Sequence, residues 1–203
     1  IIIDLKSLRN LSGIEKRDGA IAIGALTTHR EIQRSELLLA ENALLIEAAN
    51  QIGGGVQVRN RGTIGGAVCA ANPAYDYAAC LVAVDAEIEA RSLKQNRRIK
   101  VADFFQDANV STLRPNELVT QIKLSALGPN TGFSYHKLKF SDGCYCIASA
   151  ACAVQVNEDG TVRMVRLALG GVSSIPVRLS NFEDVAIGSN LSEELLTKLS
   201  TLA

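Results

Sequence analysis

Four consecutive residues, Thr63-Ile64-Gly65-Gly66, carry the clearest chemical pattern in the sequence. Because adjacent glycines lack Cβ atoms, their backbone can adopt positive φ and bring its N–H groups close to a ligand. Successive N–H groups in such a turn form a concave anion site, and the Thr63 hydroxyl adds one more donor, so the pattern fits a phosphate or pyrophosphate. A double glycine ahead of a helix is also typical of a simple tight turn, and these residues alone leave that alternative open. The spacing is neither G-x-G-x-x-G nor a Walker loop, which excludes Rossmann and P-loop sites.

The elements around this turn must position it. Apolar residues on one face predict a helix over residues 43–52, and residues 56–66 have the composition of a glycine-punctuated loop. Asn72-Pro73 is a good N-cap and first-turn pair. We therefore expect a second helix over residues 73–84, with Asp76 in its first turn.

Short apolar runs bounded by polar or turn residues predict the strands. These runs are residues 1–5, 20–24, 86–90, 99–101, 118–124, 148–156 and 161–169. We expect Leu8, Leu11 and Ile14 to anchor loops or turns, and Ser192 to cap a final amphipathic helix. The order mixes antiparallel hairpins with helices and lacks regular βαβ alternation, so we expect an α+β fold.

Composition excludes several classes of protein. The 203 residues carry 21 basic and 21 acidic side chains, whereas a broad nucleic-acid surface needs a basic excess. The longest apolar stretch, residues 144–154, is well short of the roughly 20 residues that span a bilayer, and no secretory leader pattern is seen. We expect a cytoplasmic protein with no nucleic-acid or membrane partner.

The cysteines do not form a metal-binding pattern. There are five, with no CxxC pair and only two histidines to join them, which argues against a zinc site or an iron–sulfur cluster held by this chain. Reduced, mostly buried thiols are the expectation for a cytosolic protein.

The glycine turn lies within a longer segment, residues 57–76, with the sequence QVRNRGTIGGAVCAANPAYD. This segment resembles the FAD-binding subunit, or middle domain, of the molybdenum hydroxylases, the group of xanthine dehydrogenase and carbon monoxide dehydrogenase. Members carry R-N-x-G-T-I-G-G-N followed by a proline and an aspartate. Further matches follow in the same order along nearly the whole chain. They are Ile3-Asp4-Leu5, Ile23-Gly24-Ala25-Leu26-Thr27-Thr28-His29, Asp103-Phe104-Phe105, Glu117-Leu118-Val119, Phe133-Ser134-Tyr135-His136-Lys137, Leu169-Gly170-Gly171-Val172 and Pro176-Val177-Arg178.

The resemblance implies a fold and a role in electron transfer. Residues 1–127 would be the second half of a two-part FAD-binding domain, and residues 128–203 a small α+β C-terminal domain with an antiparallel sheet. Substrate would be hydroxylated at a molybdopterin cofactor in one partner subunit. Electrons would pass through two [2Fe–2S] clusters in an iron–sulfur partner subunit, reach FAD on this chain, and leave to NAD or another acceptor. The chain would be an oxidoreductase component that binds and orients the flavin, with no catalytic or metal-ligating residue of its own.

The family's cofactor-binding residues carry over to matching positions. Thr63, Ile64, Gly65, Gly66 and Ala67 match the second FAD loop, which holds the pyrophosphate. Three further positions match cofactor-binding residues outside that loop: Asp76, Val119 and Lys137. The resemblance implies that Asp76 bonds the ribityl or nearby polar groups, that Val119 lies against the flavin, and that Lys137 lies beside the isoalloxazine, where a cation would stabilise the anionic reduced flavin.

Each of these three positions also has a plainer interpretation. Asp76 could simply favour a helix N-terminus, Val119 could be ordinary strand core, and Lys137 could be a solvated surface lysine. Thr27 and Thr28 are weaker candidates that could cap the following helix.

Two departures from the family pattern keep an alternative open. Ala67 stands where the family usually has asparagine or serine, so one side-chain hydrogen bond is lost. The family's first FAD loop, an alanine-glycine-glycine motif, would lie upstream of Ile1, and the family's C-terminal end continues beyond Ala203. We therefore expect an internal part of a subunit that binds FAD weakly or not at all in isolation. The alternatives are a flavin-free structural or assembly paralogue of the same fold and, less well supported, an unrelated nucleotide-binding α+β protein.

Overall fold

The computed structural model describes residues 2–201, and within them the chain is an α+β protein built on two antiparallel sheets. The expected α+β class is confirmed. The first sheet has five strands in the order β1-β2-β7-β3-β4, and the second has four in the order β11-β10-β9-β8. A separate two-stranded ribbon pairs β5 with β6.

The first sheet has an almost fully buried strand next to its central strand. Its members are β1 (Ile14–Arg17), β2 (Ala20–Gly24), β3 (Glu87–Arg91), β4 (Asn96–Lys100) and β7 (Leu118–Ser125). The ribbon strands are β5 (Phe105–Asp107) and β6 (Val110–Ser111). Strand β2 pairs with β7 in the register Ile23↔Ile122, and both of these side chains are fully buried. Asp18 and Gly19 both have positive φ, of 50° and 75°, which suits the tight β1–β2 hairpin.

The second sheet follows the turn-rich segment at residues 127–132. Its strands are β8 (Thr131–Leu138), β9 (Ala148–Val156), β10 (Val162–Gly170) and β11 (Val177–Arg178). Burial alternates along the whole of β9, because successive side chains of a strand point to opposite faces. Ala151 therefore joins the larger core, whereas its neighbour Cys152 packs against a smaller one.

Helices cover both sheets. They are α1 (His29–Gln33), α2 (Glu36–Glu41), α3 (Leu44–Gln51), α4 (Gly55–Arg61), α5 (Ile64–Ala70), α6 (Tyr77–Ala83), α7 (Ser180–Ala186) and α8 (Glu193–Ser200). All seven residues of α6 are buried, and this helix contacts β9 and β10 of the second sheet. The larger core joins Ile88 of the first sheet to Tyr135, Ala151 and Ala168 of the second. A continuous core thus crosses the predicted domain boundary at 127/128, and that boundary stays a prediction.

The structure corrects several expected elements. The expected loop at residues 56–66 contains helix α4, which starts after Gly54 at φ +80° and packs on α1. The helix expected from Pro73 begins at Tyr77, because Asn72 instead closes a turn by accepting the Ala74 N–H at 2.9 Å. Helix α6 contacts helix α5, which begins at the glycine turn.

Several other expectations also need correction. Residues 2–5 form no strand, and Ile1 lies outside the described residues. Ile14, expected in a turn, begins β1. Strand β8 and helix α7 were not expected from the sequence, and neither was the ribbon of β5 and β6 within residues 103–115. The expected helices at residues 43–52 and after Ser192 are confirmed by α3 and α8, and Ser192 caps α8 by accepting the Leu195 N–H at 3.1 Å.

The thiols are unpaired and largely withdrawn from solvent. All five cysteines are free, and Cys80 and Cys146 are buried. Burial raises the pKa of the Cys69 and Cys152 thiols to about 11, which keeps them protonated and unreactive at neutral pH. Among the helices of residues 2–201, none combines the length and the apolar character that a bilayer crossing requires.

Candidate functional site

The glycine turn is the N-terminus of helix α5, and its backbone is already bonded within the protein. Thr63 and Thr28 form an isolated antiparallel bridge, in which the Ile64 N–H donates to Thr27 O at 3.0 Å. The Gly65 N–H donates to Ala25 O at 2.9 Å, and the Gly66 N–H donates to Thr63 Oγ1 at 3.1 Å. The expected cradle of free N–H groups is therefore not formed at these three residues. What remains for an anion is the Thr63 hydroxyl proton and the positive end of the helix.

The two adjacent glycines have different roles. A Cβ atom on Gly65 would lie 2.6 Å from both the Cβ and the carbonyl oxygen of Ala25, whereas a Cβ on Gly66 would meet only Thr63 Oγ1, at 3.1 Å. Gly65 is buried and Gly66 is exposed. The first glycine thus lets α5 pack on the chain after β2, and the second leaves open space in front of the helix.

That open space is a cavity of about 530 Å³. Residues from the start of α1, the segment between α3 and α4, helices α4 and α5, the start of α6 and the loop between β8 and β9 line it. They are His29, Ile52, Gly53, Gly54, Val58, Arg61, Gly62, Thr63, Gly66, Ala67, Ala70, Tyr75, Asp76, Tyr77, Gly143 and Tyr145. Thr63, Gly66, Ala67 and Ala70 recur at the spacing of one helix face. Their small side chains form the floor of the cavity, which a ligand can approach closely.

Aromatic side chains form another wall of this cavity. The rings of Tyr75 and Tyr145 have centroids 5.5 Å apart. Tyr75 lies in the turn before α6, and Tyr145 lies in the loop after β8. Two segments that are distant in the sequence therefore form this wall. A pocket with apolar walls and a few convergent polar groups is typical of a cofactor site.

A second cavity, of about 710 Å³, lies beside the first. Residues 4–6, Ser12, Leu26, Thr28, Glu31, Asn60, Arg61 and Thr63 line it. Arg61 and Thr63 line both cavities. These two residues therefore lie between the cavities, and a guanidinium and a hydroxyl both donate hydrogen bonds to phosphate oxygens.

Asp76 lies in the wall of the first cavity as half of a buried ion pair. Its side chain is 6% exposed, and Lys137 Nζ lies 2.9 Å from its Oδ1. The Tyr135 hydroxyl donates to the same oxygen at 2.7 Å. Burial, reinforced by the Asp76 charge, raises the pKa of Tyr135 well above its usual range, so this hydroxyl stays a donor.

The Lys137 side chain is fully buried. Its ammonium also donates to Gln51 O at 3.1 Å, and Lys137 lies behind Asp76 rather than in the cavity lining. The alternative of a solvated surface lysine is therefore wrong. Asp76 is the N-cap of α6 but makes no side-chain capping bond, because its oxygen points to Tyr135 and Lys137 instead.

The remaining predicted residues do not all meet at the cavity. Val119 lies in β7 opposite Ala90, is 7% exposed, and packs in the larger core outside the cavity lining. Thr27 is fully buried and bonds the Gly13 backbone rather than capping a helix. Thr28 caps α1 in a capping box with Glu31.

Sequence reasoning missed a buried pair that also lines the cavity. The Tyr77 hydroxyl lies 3.2 Å from His29 Nδ1, and their rings have centroids 5.4 Å apart. Burial lowers the pKa of His29 to about 4, so the imidazole is neutral at physiological pH. The pair joins the first residues of α1 and α6, 48 positions apart, and no local pattern in the sequence indicates it.

Two family models match this chain. The model of the FAD binding domain in molybdopterin dehydrogenase matches residues 1–126, and that of the CO dehydrogenase flavoprotein C-terminal domain matches residues 133–203. The chain belongs to the FAD-binding subunits of the molybdenum hydroxylases.

Relatives of this family are found in distant organisms. The chain is 33% identical to the glyceraldehyde dehydrogenase medium chain of Sulfolobus acidocaldarius, over 98% of this chain and 70% of the relative. It is also 33% identical to the 6-hydroxypseudooxynicotine dehydrogenase complex subunit alpha of Paenarthrobacter nicotinovorans, over 95% of this chain. The chain spans 64% of that relative's length.

Solved structures of the family share the fold. A carbon monoxide dehydrogenase from Hydrogenophaga pseudoflava that lacks the Mo-pyranopterin moiety superimposes with a TM-score of 0.90, at 31% identity over 96% of this chain and 67% of that one. The Cu,Mo-CO dehydrogenase in its cyanide-inactivated form gives 0.93, at 28% identity over 98% of this chain and 69% of that one. Membership in this family makes the chain an oxidoreductase component.

Proposed function

We propose that this chain binds FAD across the two neighbouring cavities and transfers electrons within a molybdenum hydroxylase complex. The observation that carries the proposal is that Arg61 and Thr63 line both cavities. A dinucleotide has two bulky ends joined by a pyrophosphate. Two spaces with a cation and a hydroxyl between them match that distribution of shape and charge.

The residues of the first cavity suit the flavin end of the cofactor. The floor of Gly66, Ala67 and Ala70 and the rings of Tyr75 and Tyr145 line the first cavity, and they favour a flat aromatic group through contact and stacking. Thr63 and Arg61 would donate to the pyrophosphate. The matching Ala67 adds space to this floor and no hydrogen bond.

Asp76 would orient the ligand by accepting a hydrogen bond. Both Tyr135 and Lys137 engage Oδ1, and Oδ2 has no hydrogen-bond partner among the described residues, so it is free to accept from a ribityl hydroxyl. Lys137 keeps the carboxylate compensated and fixed in direction. We propose that Lys137 acts through Asp76 in this way and that Val119 supports the sheet below the site.

Bound FAD would supply two-electron redox chemistry with stepwise release. The chain's own residues would bind the cofactor, hold its orientation and exclude water from the floor of the cavity. We propose that the electrons come from [2Fe–2S] clusters in an iron–sulfur partner, that a molybdopterin partner oxidises the substrate, and that NAD or another carrier accepts the electrons.

Purification from the native source with cofactor analysis tests this function. We expect the chain to co-purify with iron, molybdenum and about one FAD per chain, with an absorbance band near 450 nm, roughly where flavins absorb. A colourless, metal-free protein would contradict the proposal.

One observation favours the flavin-free assembly paralogue as a second candidate. Three backbone donors of the glycine turn are already used inside the protein, so the turn offers few donors to a phosphate. This candidate predicts a complex that contains iron and molybdenum but no flavin on this subunit.

A further inference from the structure

The pair of His29 and Tyr77 is a buried polar feature of the cavity that the proposed function does not yet use. His29 is 5% exposed and Tyr77 is 1% exposed, yet both line the cavity wall. A buried polar ring is costly unless its nitrogens and hydroxyl are hydrogen-bonded. The hydrogen bonds that the pair can form therefore determine which ring nitrogen of His29 carries the proton.

The hydroxyl of Tyr77 determines the tautomer of His29. His29 Nδ1 is the hydrogen-bond partner of this hydroxyl among the described residues. If Nδ1 carried the proton, the buried Tyr77 O–H would have no acceptor, which costs about 1–3 kcal/mol. Tyr77 therefore donates to Nδ1, and the proton of the neutral imidazole resides on Nε2.

His29 Nε2–H is a donor at the cavity wall. It faces away from Tyr77 and towards Gly62, where an added Cβ would lie 2.6 Å from it. Gly62 is itself a cavity residue, and Nε2 forms no hydrogen bond within the part of the chain that the structure describes. The absence of a side chain at position 62 leaves this donor room to reach a ligand.

We propose that His29 is a specificity-determining residue of the cofactor cavity, whose Nε2–H donates a hydrogen bond to an oxygen of the bound flavin nucleotide. Tyr77 is its positioning residue, because it fixes the proton on Nε2. This inference rests on the proposed function, since it needs a flavin nucleotide in the cavity. His29 lies in one of the family-matching segments but outside the predicted cofactor-binding residues, and it places a donor on helix α1, away from the glycine turn.

The test measures the affinity for FAD of native complexes that contain either the wild-type chain or one of four variants. After FAD removal and reconstitution, His29→Leu should raise the Kd for FAD about tenfold, the loss of roughly one good hydrogen bond. His29→Gln, whose amide keeps a donor, should recover most of the affinity, whereas Tyr77→Phe should lose part of it. His136→Gln changes the other histidine, which is exposed on β8, and should leave the Kd unchanged.

The controls separate binding from folding. A purely structural role would lower the melting temperature of the flavin-free protein and leave the FAD affinity of the folded fraction unchanged in all four variants, which would overturn the inference. Should His29→Leu not fold, Tyr77→Phe and His29→Gln carry the comparison, and equal Kd values for both and wild type would overturn it. A wild-type complex that takes up no FAD would refute the proposed function itself. If His29→Leu bound FAD as tightly as wild type, only the role of His29 would be refuted.

Discussion

Lys137 Nζ lies 2.9 Å from Asp76 Oδ1, and the two side chains are 0% and 6% exposed. The pair joins strand β8 to the start of helix α6. It therefore connects the two halves of the chain directly beside the cavity. Charges this deeply buried persist only when they are paired and hydrogen-bonded, and Tyr135 and Gln51 O supply the additional bonds.

Removal of one partner of this ion pair should be costly. Lys137→Met leaves the Asp76 carboxylate buried without its cation, and we expect a loss of about 3–5 kcal/mol in the free energy of unfolding. The double variant Asp76→Asn, Lys137→Met removes both charges and should recover much of that loss. Urea unfolding monitored by circular dichroism measures both values.

A surface lysine provides the matched control. Lys139 pairs with Asp142, which is 97% exposed, so Lys139→Met should cost no more than about 1 kcal/mol. If the double variant were as unstable as Lys137→Met alone, the loss of stability would come from the lost packing of the lysine stem and not from the unpaired charge.

Local burial patterns explain which elements could be predicted from the sequence. Strands β2, β7 and β9 show apolar or alternating residues over their own length, and the structure confirms them. Strand β1, with the sequence IEKR, has three exposed residues and forms because it pairs with β2 at the sheet edge. Its strand state depends on a neighbour rather than on its own residues, which no local pattern reveals.

Acid should weaken the link between Arg97 and Glu117. Arg97 donates two hydrogen bonds of 2.8 Å to this carboxylate, and they lower the pKa of Glu117 to about 2 from its usual 4.5. Because the folded state holds the carboxylate ionised, this stabilisation is fully present above about pH 4.5. It is lost as the pH falls from there towards 2.

The variant Glu117→Gln isolates this contribution. It should be less stable than wild type at pH 7, and the difference should shrink between pH 4.5 and 2 in urea unfolding series. Glu158→Gln, at an exposed turn, serves as the control with no such convergence. A constant difference between Glu117→Gln and wild type across that range would show that ionisation of Glu117 is not involved.

His29 should make the fold sensitive to a different pH range. Burial lowers its pKa to about 4 from 6.5, so between these values the unfolded chain takes up a proton that the folded chain does not. Stability should therefore fall as the pH drops from 6.5 towards 4. In His29→Leu the dependence of the unfolding free energy on pH should be shallower between pH 6.5 and 5, and identical slopes would contradict this.

The site divides in a similar way between local and distant residues. Thr63, Gly66, Ala67 and Asp76 lie within 14 positions of one another, and the structure brings them to one cavity. His29, Tyr145 and Gly143 reach the same cavity from other elements. Their roles arise from tertiary packing, so no spacing in the sequence could indicate them. Hydrogen bonds to Thr27 O, Ala25 O and Thr63 Oγ1 occupy the backbone donors that the glycine pattern predicts to be free.

The two glycines of the turn should respond differently to the same substitution. Gly65→Ala places a methyl group 2.6 Å from Ala25, and such overpacking costs about 1–3 kcal/mol. Gly66→Ala meets only Thr63 Oγ1, at 3.1 Å, and in a helix it gains about 0.5–1 kcal/mol from the lower entropy of the unfolded chain. Gly65→Ala should therefore lower the melting temperature, while Gly66→Ala should leave it unchanged or raise it.

The two variants should rank in the opposite order for FAD retention and for thermal stability. The added methyl of Gly66→Ala projects from the cavity floor, so the native complex should retain less flavin per chain after gel filtration although the subunit is stable. Flavin retention in folded Gly65→Ala should stay close to wild type, because that residue faces Ala25 rather than the cavity. Only a ligand on the cavity floor makes Gly66 the position at which a methyl group displaces flavin. If, at equal folded fraction, Gly66→Ala retained its full flavin while Gly65→Ala lost flavin, the cofactor would not lie against this face of α5.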